Sequence, residues 1–556
     1  MIKRGRSPLD YEYGRHFPGE AGKYRQKDLE KSYMTERNIQ GLSEKVFLRL
    51  EAPSEEEHVS DQMRIRQGLE EKGYRDIRFS LAALRTLYPL CREAGWEITV
   101  TLVHEEQGIL ITAVEAGDRT REHYGLAVDY GSTTILMQIV DMNTGEVLAE
   151  ESETNGQAAY GADILTRITY GMEKPEHKRE LHQATVETFH RLLEKLTEKT
   201  GIQAGACPVM VISGNTTMVH FFLELDAWTV FSSPYAPVTT EPGFFRGREL
   251  GLDFAGEVFF MPGISNYVGG DIVSGLLLMD FYRKDEIGLF FDIGTNGELV
   301  IGNREWLLAG AGAAGPALEG DISRYGIRAR EGAIDTVRIE GGDLSFTTIG
   351  GTKPVGICGS GIIDLLAEMR LNGWTDIAGN LDPQASERIV YFEDEGEYGA
   401  VYATAEESGI GEPLYFSQTD IKQYIDTKAA AHTMLDCLLE SAGCTEEDIG
   451  HYYLSGAFCA HGNLESAITV GIFPDVPLER YTALRNSSLD GARTLLLDRN
   501  RMEDIRYLRE NVFSVQFASM PDFLIRMQAA KFIPHTDMEK YPTVKRKLEE
   551  KGRKHM

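Results

Sequence analysis

Cysteine is scarce and scattered in this chain: Cys91, Cys207, Cys358, Cys437, Cys444 and Cys459 form no CxxC pair and no ferredoxin-like run. That spacing argues against an iron–sulfur centre built by this sequence alone, so no intrinsic iron–sulfur cluster is expected. Long apolar runs are missing too. The longest, such as "SGLLLMDF", fall well short of the roughly 20 residues a membrane helix needs. The opening segment "MIKRGRSPLDYEYGRHFPGEAGKYRQKDLEKSYM" starts basic but lacks the apolar stretch of a signal peptide. A cytoplasmic protein with no membrane partner is the expectation. Basic blocks are absent as well, and the formal charge is −29 at pH 7. Such a field repels a long nucleic acid. It leaves a nucleotide possible, because backbone donors in a pocket act locally.

What is present is a long chain with a substantial core. At 556 residues and 42% hydrophobic content it is expected to form two to four globular domains with room for a cleft between them. Residues 1–60 read as a polar N-terminal arm, with charge runs such as "EAPSEEEH". Residues 61–122 read as a small α/β domain. There "SLAALRTLYPLCREAG" has helical apolar spacing, and "WEITVTLVHEEQGILITAVEAG" reads as strand, turn and strand.

One architectural idea is then written twice. "LAVD", "YGSTT", "ILMQIVDM", "NTG" and "EVLAEES" alternate strand and turn, and "LFFD", "IGTNG", "ELVIG", "NRE" and "WLLAGAG" do so again. The interval between copies, about 160 residues, is far longer than a solenoid repeat and fits domain duplication. Each copy is followed by helical material. The division expected is a first half over 123–285, a second half with insertions over 286–535, and a charged tail over 536–556. Two such halves facing across a cleft would oppose their turns.

The turns suit phosphate. Asp129 ends a strand, Gly131 permits close backbone approach, and Ser132, Thr133 and Thr134 add hydroxyl and backbone donors. The second turn offers Asp292, Gly294, Thr295, Asn296 and Gly297, with Glu298 entering the next strand. An Asp beside phosphates can hold Mg2+ through water, which makes Asp129 and Asp292 the metal-positioning candidates. Either turn alone would be an ordinary hairpin; the pair reads as a nucleotide clamp.

Other segments stay ambiguous. The glycine-rich run Leu308–Asp321, with Gly312 and Gly315, either admits a nucleotide to a helix N-terminus or permits tight helix packing. Asp271 in "SNYVGGDI" either caps a helix or orients water or magnesium as a catalytic group. Ser455, Gly456 and Ala457 suit an adenine or ribose edge, while Cys358, Cys459 and His461 lack the companions of a metal site.

In order, "DYGSTT", "YGADILTRI", "SGNTTM", "SNYVGGDI", "DIGTNGE", "GAGAAGPALEG", "GICGSGIID" and "LSGAF" resemble the ATP-dependent reductive activators of corrinoid proteins. These belong to the superfamily of actin, sugar kinases and large heat-shock ATPases. The resemblance spans about residues 70 to 530. It implies an α/β fold, a duplicated actin-like ATPase core with a nucleotide cleft, preceded by a small α/β domain. It also implies ATP and Mg2+ as ligands, a corrinoid methyl-transfer protein as partner, and support of cob(II) to cob(I) reduction. By the same resemblance Asp129–Thr134 and Asp292–Asn296 are the two phosphate loops, Gly456 lies toward adenosine, and a homodimer is plausible. Family members often begin with a ferredoxin-like domain; without that cysteine cluster, electrons are expected from an external donor. Two other readings share the phosphate clamps: a small-molecule kinase, and a nonenzymatic nucleotide-responsive binding protein.

Overall fold

The computed structural model describes residues 39–294, 296–313, 323–456, 462–517, 520 and 522–554. Its first unit is a four-stranded sheet of β1 (Ser43–Arg49), β2 (Ile77–Phe79), β3 (Glu97–Glu105) and β4 (Gly108–Ala116), in the order β1-β3-β4-β2. Helices Asp61–Glu71 and Leu81–Glu93 accompany it, and each starts where a serine hydroxyl, Ser60 or Ser80, accepts a backbone N–H from the first turn. Their apolar faces close a core with Ile65, Leu69, Leu87, Trp96, Ile98 and Val100. One boundary is corrected here. Strand β1 lies within the stretch read as a polar arm, yet it pairs with β3 from Ser43–Val103 to Arg49–Glu97.

The first half is a six-stranded sheet of β5 (Tyr124–Tyr130), β6 (Thr134–Asp141), β7 (Val147–Thr154), β8 (Val209–Ser213), β9 (Gly243–Arg246) and β10 (Glu257–Phe260). Its order is β7-β6-β5-β8-β10-β9. The second half opens with β11 (Gly288–Ile293), β12 (Asn296–Gly302) and β13 (Leu307–Ala313). Two small sheets are inserted next: β14 (Ala333–Glu340), β15 (Asp343–Thr348) and β16 (Gly356–Ile357), then β17 (Ile389–Phe392), β18 (Glu397–Ala403) and β19 (Leu414–Ser417). Strands β20 (His451–Ser455), β21 (Tyr481–Ala483) and β22 (Val512–Val515) complete the order β21-β20-β11-β12-β13-β22.

The duplication is explicit in strand direction. Strands β5, β6 and β7 run antiparallel, and β8 and β10 join β5 in parallel. Strands β11, β12, β13, β20 and β21 repeat that scheme. Register is repeated with it: Asp129 pairs with Ser213, and Asp292 with Ser455. The inner strands β5, β8, β11 and β20 are almost wholly buried, as strands covered on both faces must be.

Each half follows its outer parallel strand, β10 or β21, with a helix. Helix Gly270–Met279 follows β10, and helix Ser487–Leu497 follows β21. The second crosses back: it packs on helix Gly270–Met279 and on β5 and β8 of the first half. Helix Ser487–Leu497 thus packs into a core that both halves share, with Ala127 and Val211 from the first and Phe290 and Val300 from the second. Leu489, Ala492, Leu495 and Leu496 are all buried there, and each large side chain contributes on the order of 1.5–3 kcal/mol. Gly491 is required at the crossing, since a Cβ would overlap the Ser274 carbonyl.

Candidate nucleotide site

The first loop is held from behind. Asn155 donates Nδ2 to the Gly131 carbonyl at 2.9 Å, Arg167 donates Nη1 to that of Ser132 at 2.6 Å, and the Asn155 backbone N–H reaches that of Thr133 at 2.9 Å. In a trans peptide the N–H points opposite to the C=O. Tying three successive carbonyls on one side therefore turns the amides of Ser132, Thr133 and Thr134 to the other. Gly131 has no room for a side chain, because a Cβ would lie 2.5 Å from the Thr134 carbonyl oxygen. Asp163 caps the helix Ile164–Glu173 that carries Arg167, a residue only 1% exposed.

In the second turn the Gly294 N–H meets the Asn296 carbonyl at 2.9 Å. Thr295 lies outside the described residues, as do Gly315, Ala457, Cys459 and His461.

Asp129 is gripped at both oxygens. Ser488 Oγ donates to Oδ1 and Asn486 Nδ2 to Oδ2, each at 2.8 Å. Burial raises its carboxyl, and these two donors oppose that rise. No hydrogen bond from a described residue reaches the Asp292 carboxylate, and burial pushes it up to about 7, with Asp271 and Asp129 adding repulsion. Burial likewise brings Asp271 to about 7, with Asp129 contributing. Glu298 is raised well above its ordinary value by burial and by Asp271 and Asp292. These four side chains keep partial solvent access while protein surrounds them densely. Among the described residues no Lys or Arg pairs with any of them, and the four carboxyl groups make the cleft floor acidic.

One reading changes. Asp271 is not the helix cap: Gly269 occupies that place, and Asp271 stands in the first turn, accepting from the Ile272 N–H at 2.9 Å. Gly456 is needed for backbone packing, since at φ 103° a Cβ would overlap the Ile293 carbonyl. Its counterpart Gly214 stands against the Tyr130 carbonyl at 2.9 Å in the first half. At Gly312 a Cβ would meet the thioether sulfur of Met434, on helix Gln418–Ala442, at 2.5 Å. Cys358 is a buried thiol on the Ile334 carbonyl, with burial raising it.

Sequence reasoning missed Asn155, Arg167, Asn486, Ser487 and Ser488 as parts of the site. The signal for the last three was available: "NSSLDGARTLLLD" follows β21, the parallel neighbour of β20, just as "GGDIVSGLLLMD" follows β10, the parallel neighbour of β8.

Comparison with known proteins matches three successive stretches of the chain to regions of one family. Residues 286–545 match the family described as the C-terminal domain of RACo, the ASKHA domain; residues 124–284 match the RACo middle region, and 35–121 the RACo linker region. A solved reductive activator for corrinoid, iron-sulfur protein superposes with a TM-score of 0.85 at 34% identity, covering 91% of this chain and 81% of that one. The chain belongs to the RACo family. Corrinoid activation enzyme RamQ of Eubacterium limosum is 28% identical over 423 residues, 75% of this chain and 71% of the relative. The Co(II) methylated amine-specific corrinoid protein reductase of Methanosarcina barkeri is 23% identical over 420 residues, 69% of this chain and 71% of the relative. Family membership brings the actin-like ATPase fold that the two equivalent sheets display. The family's linker match also begins ahead of β1, in keeping with the corrected boundary.

Proposed function

We propose that this protein uses ATP to drive reductive activation of a corrinoid methyl-transfer protein, supporting the change from cob(II) to cob(I). The observation that carries the reading is the 34% identity and TM-score of 0.85 to a reductive activator for corrinoid, iron-sulfur protein. Two equivalent Asp-headed turns at one cleft support it. A small-molecule kinase fits less well, because both curated relatives carry names that concern corrinoid proteins.

ATP sits in this reading between the two turns. Amides of Ser132, Thr133 and Thr134 take phosphate oxygens on one side, and the turn Gly294–Asn296 takes them on the other. Magnesium suits the floor. Among the described residues no three acidic, imidazole or thiol groups form a cage for a metal. Mg2+ ordinarily keeps several waters and takes one or two carboxylates together with phosphates, which matches separated carboxylates at Asp129 and Asp292. The ion would neutralise charge on the phosphates and on this acidic floor. Asp271, in a helix first turn, orients water for hydrolysis in this reading.

Closure of the two halves on ATP then changes the surface offered to the partner, and differential contact with the two cobalt states is what ATP can alter. Electrons come from a separate donor, a reading supported by the wide sequence spacing of the cysteines. Homodimerisation and a cytoplasmic site of action complete the reading. The test is anaerobic mixing with a cob(II) corrinoid protein and an independent reductant, followed by the cobalt absorption spectrum. Cob(I) that forms only with Mg-ATP is the expected result; its absence, while a known activator succeeds with the same partner, overturns the reading.

A further inference from the structure

The helix that crosses between the halves begins Asn486-Ser487-Ser488, and its consecutive serines face opposite ways. Ser488 Oγ meets Ser213 Oγ at 2.8 Å, and Ser213 takes a further hydrogen bond from Ser274 Oγ at 2.8 Å. Ser487 Oγ meets Ser455 Oγ, also at 2.8 Å. Ser213 and Ser455 are the equivalent residues of the two halves, the parallel partners of Asp129 and Asp292. All five hydroxyls are buried, with no residue more than 6% exposed. These two buried sets, Ser274–Ser213–Ser488 and Ser487–Ser455, tolerate little misalignment, since a broken link leaves an unpaired polar group.

The same segment holds the cleft carboxylate. Ser488 and Asn486 engage both oxygens of Asp129, while Asn486 Oδ1 accepts from the Leu489 N–H at 2.8 Å and caps the helix. Asp129 is thus aimed by a helix whose root is β21 of the second half and whose body lies on the first.

We propose that Asn486, Ser487 and Ser488 form a positioning hinge that ties the orientation of Asp129 to the relative placement of the two halves. Movement of Ser455 and β21 on closure is carried by Ser487 into the helix start, and Ser488 and Asn486 pass it to the carboxylate. The inference rests on the nucleotide reading of the cleft. It assigns these residues no contact with ATP, so their loss should act on turnover more than on nucleotide affinity.

The experiment is Mg-ATP hydrolysis by the full chain under single-turnover and steady-state conditions, in the parent and in Ser488→Ala, Ser488→Thr, Ser487→Ala and Asn486→Ser. Asn486→Ser keeps a helix-capping oxygen but is too short to reach Asp129, which separates capping from positioning. Ser488→Ala, Ser487→Ala and Asn486→Ser are expected to lower kcat roughly tenfold or more, with KM for ATP within about threefold of the parent. Ser488→Thr, which keeps the hydroxyl, is expected to restore most of the rate. Hydrolysis within about twofold of the parent in Ser488→Ala and Asn486→Ser overturns the hinge. So does a loss of rate that tracks a fallen melting temperature and is not rescued by threonine. If the parent itself neither binds nor hydrolyses Mg-ATP, the nucleotide reading falls and the hinge with it, a result distinct from insensitive variants of an active parent.

Discussion

Arg167 Nη1 lies 2.6 Å from the carbonyl oxygen of Ser132, so a buried guanidinium is fastened to the back of the first loop. Its Nε is held in turn by the Gly161 carbonyl at 2.9 Å. The side chain fixes which way the loop amides point, and it places a positive charge behind them. Arg167→Lys keeps the charge but not the two-point fork. The expected outcome is a KM for Mg-ATP raised by roughly tenfold, equivalent to about 1.4 kcal/mol of binding, with Arg167→Ala costing more. Titration of nucleotide into each variant checks it, and unchanged affinity in Arg167→Ala would exclude the clamp.

Gly456 tests the backbone packing around Asp292. At φ 103°, with the Ile293 carbonyl where a Cβ would go, alanine must displace the strand that carries Asp292. Gly456→Ala is expected to cost on the order of 1–3 kcal/mol of stability from the strained conformation alone, with the overlap adding to it. Gly214→Ala, at an ordinary φ and with the Tyr130 carbonyl at 2.9 Å, should cost less. Thermal unfolding of the two variants ranks them, and the reverse order would contradict the geometry.

How far the sequence spoke for itself follows from the range of each interaction. Strand alternation, the Asp-x-Gly turns and their duplication are local patterns, so Asp129 and Asp292 were placed in equivalent positions before any coordinates. Strand β1 was hidden because it is an edge strand carrying Glu44, Lys45 and Arg49, the charged dress that such edges wear. The partners of Asp129 were hidden by distance: Asn486 and Ser488 stand 357 and 359 residues away. Gly456 stands out in the sequence as a position without a side chain. What fills the vacated space is backbone from another strand, which no local pattern encodes.

His123 gives the stability of the small-domain junction a pH dependence. It is buried between β4 and β5, with its Nε2 2.9 Å from the Ser43 hydroxyl. Burial, aided by Lys45, lowers its value from 6.5 to about 4. The unfolded chain takes up this proton below pH 6.5 while the folded chain resists it. Stability from this group is therefore complete above pH 6.5 and is lost as the pH falls toward 4, by on the order of 3 kcal/mol. Denaturant unfolding at neutral and mildly acidic pH measures it. His123→Gln should flatten that part of the acid limb, and an unaltered slope would assign it to other groups.

The two halves should answer differently to loss of a carboxylate charge. Asp129 accepts two hydrogen bonds, so in Asp129→Asn the amide N–H₂ can face Ser488 only if that hydroxyl turns from donor to acceptor. Re-ordering the serine hydroxyls behind it is expected to cost about 1 kcal/mol. Asp292 has the opposite balance. Its folded value of about 7 exceeds the ordinary 3.8, so the stability tied to its proton is present at low pH and lost as the pH rises through 7. In magnesium-free protein at pH 8 the charge is a burden beside Asp271 and Glu298, and Asp292→Asn should raise stability by on the order of 1–2 kcal/mol. Both variants should lose Mg-ATP turnover if the two aspartates position the cation. Melting in a chelator, set beside single-turnover hydrolysis, reads both effects at once. An Asp292→Asn protein that melts below the parent at pH 8 would mean that the acidic floor is already compensated within the fold, leaving magnesium no charge to neutralise there.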